Sequence, residues 1–205
     1  MWEIFLKGGP IMYLLFLCSF LGIYIIIHKF LFLKSHSVNI DKTTHLIKQQ
    51  LLNHGKSDTI KQLKTKHQIM IRVLCQAITL SALNRDDIQD GIKGITLLEV
   101  PKLEKNLSVL SSIITVAPIL GLLGTVLGLI DIFNVISGGG IGNTQALSSG
   151  IAEALISTVS GLAIAIPLIF VHHFLSHKVN TFTMQMEHLI YDIINFCKSN
   201  PSLKH

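Results

Sequence analysis

Inside its long apolar stretches this 205-residue chain carries one carboxylate and a few hydroxyls. Glu153 is the only charged residue between Asp131 and His172. Hydrocarbon tolerates an ionisable group only where it faces protein or water, so a carboxylate there marks an ion path by default. Thr125, in the preceding apolar run, and Thr158, in the same run as Glu153, both have the depth to line a common polar track. A hydroxyl both donates and accepts a hydrogen bond, which suits passing a proton along water. The plainer alternative is that each threonine bonds the carbonyl one turn back on its own helix. Glu153 also has two readings. It marks the outer end of a helix, where the dipole favours a carboxylate, or it is a proton-accessible site in the outer half of a pathway. At about 100° per residue, Glu153 and Thr158 lie roughly 140° apart on a helix and need not face one pore.

Other chemistries find little support. His173 and His177 stand at i, i+4, but two histidines with no acidic residue near them make an incomplete metal site. With His172 they read as interfacial histidines at the inner membrane edge, and no metal or cofactor is expected. Cys18, Cys75 and Cys197 are scattered, with no CxxC spacing. No Ser-His-Asp, Cys-His or HExxH arrangement supports an enzyme. Gly138-Gly139-Gly140 follows no strand and precedes no Gly-Lys-Ser/Thr, so it reads as a hairpin and not a phosphate loop.

The elements that position these residues follow from where charge is missing. Charged residues make up 14% of the chain, against about 25% in a typical soluble domain. Residues 8–27 and 106–130 carry none. A span needs roughly 20 apolar residues, so three fit: 9–30, 107–131 and 147–172. The expected fold is an all-α integral membrane protein, three transmembrane helices with a helical cytoplasmic segment. The first run is long for a signal peptide and lacks a small-residue cleavage site, so it reads as a retained anchor. Of 17 Lys and Arg residues, 13 lie in 28–105 and three in 172–205. That bias places 31–106 and the tail 173–205 in the cytoplasm, with 1–8 and the loop 132–146 in the periplasm. Topology therefore explains the net charge of +5 without nucleic acid.

Small residues dictate how the spans pack. Span two aligns Ala117, Gly121, Gly124 or Thr125, and Gly128. Span three aligns Ala154, Ser157 or Thr158, Gly161 and Ala165. Small-xxx-small stripes let helix backbones approach closely in lipid. Pro118 and Pro167 sit inside these helices as expected kinks, tolerated where neighbours satisfy the freed carbonyl. Span one is bulky and lacks such a stripe, as suits a lipid-facing helix. Trp2, Phe5 and Tyr13 suit an interfacial anchor. In the polar segment, Ile69, Val73, Ala77 and Leu80, widened by Met70, Leu74 and Ile78, recur at helical spacing. Asn84-Arg85-Asp86-Asp87 reads as a helix start, Ile88, Ile92 and Ile95 continue a second stripe, and Pro101 interrupts the run. The segment reads as two or three helices, against the alternative of a loosely packed loop.

At Ala117-Pro118, Leu120 to Val126 with Gly128, and Gly150 to Leu155 with Thr158, Gly161-Leu162 and Ala165-Ile166-Pro167, the chain resembles the ExbB/TolQ/MotA proton-channel family. The opening Gly8-Gly9-Pro10-Ile11-Met12-Tyr13 also resembles an ExbB-type start. The resemblance implies a homo-pentamer in the bacterial inner membrane, its central pore lined by spans two and three. It implies a single-span ExbD/TolR-type partner bearing a membrane aspartate, and a TonB- or TolA-type energy transducer. Thr125, Glu153 and Thr158 then take the family's pore positions. The implied function is to use the proton motive force to energise TonB-dependent transport across the outer membrane. The alternatives are a TolQ-type role in envelope integrity and division, and a non-conducting scaffold. One departure is that span one ends in His28-Lys29, where relatives often carry an acidic-basic pair.

Overall fold

In a computed structural model of the chain, residues 8–36, 40–64, 69–83, 85–138 and 144–200 are described. Trp2, Phe5, Asn84, Gly139 and Gly140, all named above, lie outside them. The described residues form α1 (Ile11–His36), α2 (Ile40–Lys64), α3 (Ile69–Leu80), α4 (Arg85–Glu104), α5 (Leu107–Ser137) and α6 (Thr144–Ser199). Among the described residues three helices are long and apolar enough to cross a membrane, in Ile11–Ser35, Leu107–Ser137 and Leu147–Ser199. The chain divides into two compact units: Met1–Lys29 with Asn106–Leu175, and Phe30–Lys105 with Ser176–His205.

The first unit is apolar on its outside. Only 28% of each helix's most apolar stretch is buried within the protein. Phe16, Phe20, Phe133 and Phe170 are all well exposed. Apolar patches of this extent are unusual on a soluble monomer and suit contact with lipid or other protein. The inner face is built differently. Ile11, Met12 and Leu15 of α1 pack with Ala117 of α5, joined by Leu120, Ile156 and Ile164. Gly22 lets α1 come close to α6: a Cβ there would lie 2.9 Å from Leu168 Cδ1.

The second unit has a conventional core. Leu51, Met70, Leu74, Ile78, Leu103, Leu189, Ile190 and Ile193 are almost wholly buried. The α3 stripe read from the sequence is buried at Ile69, Met70, Val73, Leu74, Ala77 and Ile78, and the α4 stripe at Ile88, Ile92 and Ile95. Buried Glu99 holds Arg72 Nη2 and Lys102 Nζ, each at 2.9 Å. Lys48 pairs with Asp192 at 2.7 Å. Burial pushes the Cys197 thiol up from its ordinary range, and a hydrogen bond from Ser81 and the charge of Lys56 draw it partly back. The break expected at Pro101 comes later. Pro101 is exposed within α4, and the turn falls at Asn106, whose φ is 72°. An asparagine tolerates that left-handed conformation better than most side chains.

Candidate functional site

The small stripes of α5 and α6 meet, and their contact is backbone against backbone. A Cβ built on Gly121 would lie 2.9 Å from Ser157 O and 3.1 Å from Thr158 Cα. One on Gly161 would lie 2.6 Å from Ala117 O, and one on Gly128 would lie 2.9 Å from Gly150 O and 3.1 Å from Ala154 Cβ. At Gly124 the space is filled by the side chain of Ser157. Gly121, Gly124, Gly128, Ala154 and Gly161 thus lie along one seam. Ala165 is also buried on α6. The carbonyl atoms in these contacts belong to helical backbone and cannot rotate away, so glycine is required there for room and not for conformation.

Hydroxyls complete the seam. Gly121 O accepts from Ser157 Oγ at 3.2 Å and from Thr158 Oγ1 at 3.1 Å. Ser157 Oγ also lies 2.8 Å from Ala154 O on its own helix. The alternative left open in the sequence, Ser157 or Thr158, resolves into both residues on one carbonyl, with Ser157 wholly buried and Thr158 partly so. In lipid each such interhelical bond contributes about 0.6 kcal/mol on average. The arrangement also limits what Thr158 does chemically. Its proton is committed to Gly121, which leaves the oxygen's lone pairs as acceptors toward water. Thr125 takes the local option: Thr125 Oγ1 donates to Leu122 O at 2.6 Å on its own helix. Relaying a proton through either hydroxyl therefore requires that the donated bond first swing away.

Glu153 points elsewhere. It is half-buried, and its carboxylate lies against Gly9 in the turn before α1. The angular separation of Glu153 from Thr158 in the sequence is realised as two different neighbours, α1's entrance for one and α5 for the other. Pro118 is half-buried and Pro167 exposed, and α5 and α6 continue through them. Among the described residues no group of three or more His, Cys, Asp or Glu side chains is placed to hold a metal ion.

Two further residues take part, both named in the sequence only within the stretches that carry the family resemblance. Gly150 forms part of the seam against Gly128 and Ile132. Its signal was present, because Gly150 and Ala154 are spaced as a small-xxx-small pair. Gly9 was named only within the ExbB-type opening Gly8 to Tyr13, and nothing local in the sequence ties it to a residue so distant along the chain.

Comparison with known proteins reaches the same residues. Residues 62–188 match the model of the MotA/TolQ/ExbB proton channel family. A putative biopolymer transport protein ExbB homolog of Methanothermobacter thermautotrophicus is 26% identical over 87% of this chain and 63% of its own length. A putative biopolymer transport protein ExbB-like 3 of Synechocystis is 36% identical, over 58% of each chain. The Tol-Pal system protein TolQ of Haemophilus influenzae is 40% identical over 40% of this chain and 36% of its own length. The chain spans 58–65% of the length of the first three curated relatives it matches.

Proposed function

The chain belongs to the MotA/TolQ/ExbB proton channel family, and on that premise we propose that it is the channel subunit of a proton-driven motor in a bacterial inner membrane. The observation that carries the reading is the seam itself. Two apolar helices pack at backbone distance through glycine, with Ser157 and Thr158 on one carbonyl, Thr125 on the neighbouring turn of α5, and a carboxylate at Glu153. A structure built only to anchor a protein in lipid has no use for that carboxylate, which is costly in hydrocarbon.

In this reading five copies surround a central path lined by α5 and α6. Basic residues hold 31–106 and 173–205 in the cytoplasm, and the N-terminus and the 132–146 loop face the periplasm. α5 carries no carboxylate at mid-membrane depth. A single-span partner of the ExbD/TolR type therefore brings the principal proton carrier, a membrane aspartate. Thr125, Glu153 and Thr158 serve the water path around it. Proton flow inward moves the complex and drives a TonB-type transducer for uptake across the outer membrane. A TolQ-type role with a TolA-type transducer is the second reading, favoured by the similarity to the TolQ protein.

The test separates a motor from a scaffold. Proton-motive-force-dependent output is measured in cells whose only copy of this subunit is Thr158→Ala, Thr158→Ser or Glu153→Gln, with assembly checked on native gels. A motor loses output in the first and third while Thr158→Ser retains it, and all three assemble. Full output from both Thr158→Ala and Glu153→Gln would leave the scaffold reading standing. Complementation of strains lacking either system then assigns the transducer.

A further inference from the structure

If a Cβ is built on Gly9, it falls on Glu153 Oε1, with Glu153 Cδ at 2.8 Å and Cγ at 3.4 Å. The carboxylate occupies the volume a side chain at position 9 would need. The backbone there is also unusual, because Gly9 has φ 69°, a conformation open to glycine and strained for most other residues. Pro10 follows, with its own φ fixed near about −65°.

The turn is built and not slack. Gly9 O accepts from Met12 N at 3.2 Å and Pro10 O from Tyr13 N at 3.3 Å, forming the entry to α1. Gly8 is buried, and a Cβ there would lie 3.2 Å from Ile156 Cγ2, one turn along α6 from Glu153. Met12 and Ile156 then belong to the packed cluster of this unit. Among the described residues no hydrogen bond or ion pair to the Glu153 carboxylate is formed by another side chain. The entrance to α1 is also where a helix leaves its first N–H groups without helical partners, a setting that favours a carboxylate.

We infer that Gly9 is a positioning residue for Glu153: the bare, left-handed turn at the entrance of α1 seats the carboxylate and sets the direction in which it points. The inference rests on the reading that Glu153 serves the proton path. It assigns a role to α1 that its lipid-facing composition hides. The direction of Glu153 is governed by α1, whereas that of Thr158 is governed by Gly121 on α5.

The experiment uses the full chain in its membrane assembly and reads two quantities. One is the rate at which a carbodiimide modifies residue 153, followed by mass spectrometry. The other is proton-motive-force-dependent output. Gly9→Ala and Gly9→Asn are compared with wild type, alone and combined with Glu153→Asp, which shortens the side chain by one methylene. Both single changes at position 9 are expected to displace the carboxylate, raise its modification rate several-fold and lower output. Glu153→Asp should bring modification and output in each double variant back to the level of Glu153→Asp alone. If Gly9→Asn behaves as wild type while Gly9→Ala fails, only the left-handed backbone matters and the inference is overturned. Wild-type modification rates in both single variants overturn it too. A several-fold rise with unchanged output upholds the positioning but removes Glu153 from the path. Should Gly9→Ala fail to assemble, Gly9→Ala with Glu153→Ala decides: assembly recovers if the carboxylate was the obstacle, and failure there overturns the inference.

Discussion

Replacing Gly161 by alanine tests the seam where backbone comes closest to backbone. The new methyl group would lie 2.6 Å from Ala117 O, 3.2 Å from Gly121 Cα and 3.3 Å from Gly121 N. Carbon and oxygen approach comfortably at about 3.3–3.6 Å, so α5 and α6 must part by roughly 0.7 Å or more. None of the three atoms sits on a flexible side chain. Overpacking of this kind costs about 1–3 kcal/mol. Parting the helices also stretches the Ser157 and Thr158 bonds to Gly121 O, each contributing about 0.6 kcal/mol. Alanine's better helix propensity returns up to about 1 kcal/mol. The net expectation is a loss of about 1–3 kcal/mol, close to the overpacking cost alone. Gly94 of α4 supplies the internal control, since a Cβ there meets nothing within 4 Å. Gly94→Ala should be neutral or stabilising by up to about 1 kcal/mol. Equilibrium unfolding in mixed detergent micelles measures both. Equal stability of Gly161→Ala and wild type, or a loss at Gly94→Ala as large as at Gly161→Ala, would refute the close-packing argument.

Three further outcomes follow from single contacts. Ser157→Ala removes a wholly buried hydroxyl that bonds Gly121 O and Ala154 O, and should cost about 0.5–1.5 kcal/mol in the same unfolding assay; a stabilised variant would contradict it. Arg72→Ala leaves buried Glu99 with Lys102 alone, and should cost about 1–3 kcal/mol, most of it recovered when Glu99 is also made leucine. Burial holds the Cys197 thiol above its ordinary range, so less of it is thiolate in the folded protein than in the unfolded chain. Iodoacetamide should therefore modify Cys197 slowly near neutral pH until denaturant is added. The same shift contributes stability that is present below the unfolded thiol's pKa and fades as pH rises through the folded one.

Much of this architecture was legible because periodicity and burial say the same thing twice. The α3 and α4 stripes were readable as apolar residues at helical spacing, and they are the buried faces. Gly121, Gly124, Gly128, Ala154 and Gly161 stand out in the sequence because small residues at helical spacing in an apolar span suit close helix contact. What could not be read lies in contacts distant along the chain or in competing local effects. Ser157 and Thr158 are adjacent, and spacing alone could not say that both would reach one carbonyl. Pro101 looks like a break in isolation, but α4 carries it on an exposed face and the turn waits for Asn106. The seat of Glu153 on Gly9 joins residues far apart in the sequence, and its only local trace was a glycine pair before a proline.

The central claim, a proton path formed by several copies with a partner inside, is tested most directly by native mass spectrometry of this chain purified from its own membrane in mild detergent. The account predicts a pentamer that retains a small single-span protein with an aspartate in its membrane segment. A monomer or dimer of this chain alone, stable under the same conditions, would leave no enclosed path for protons and would contradict it.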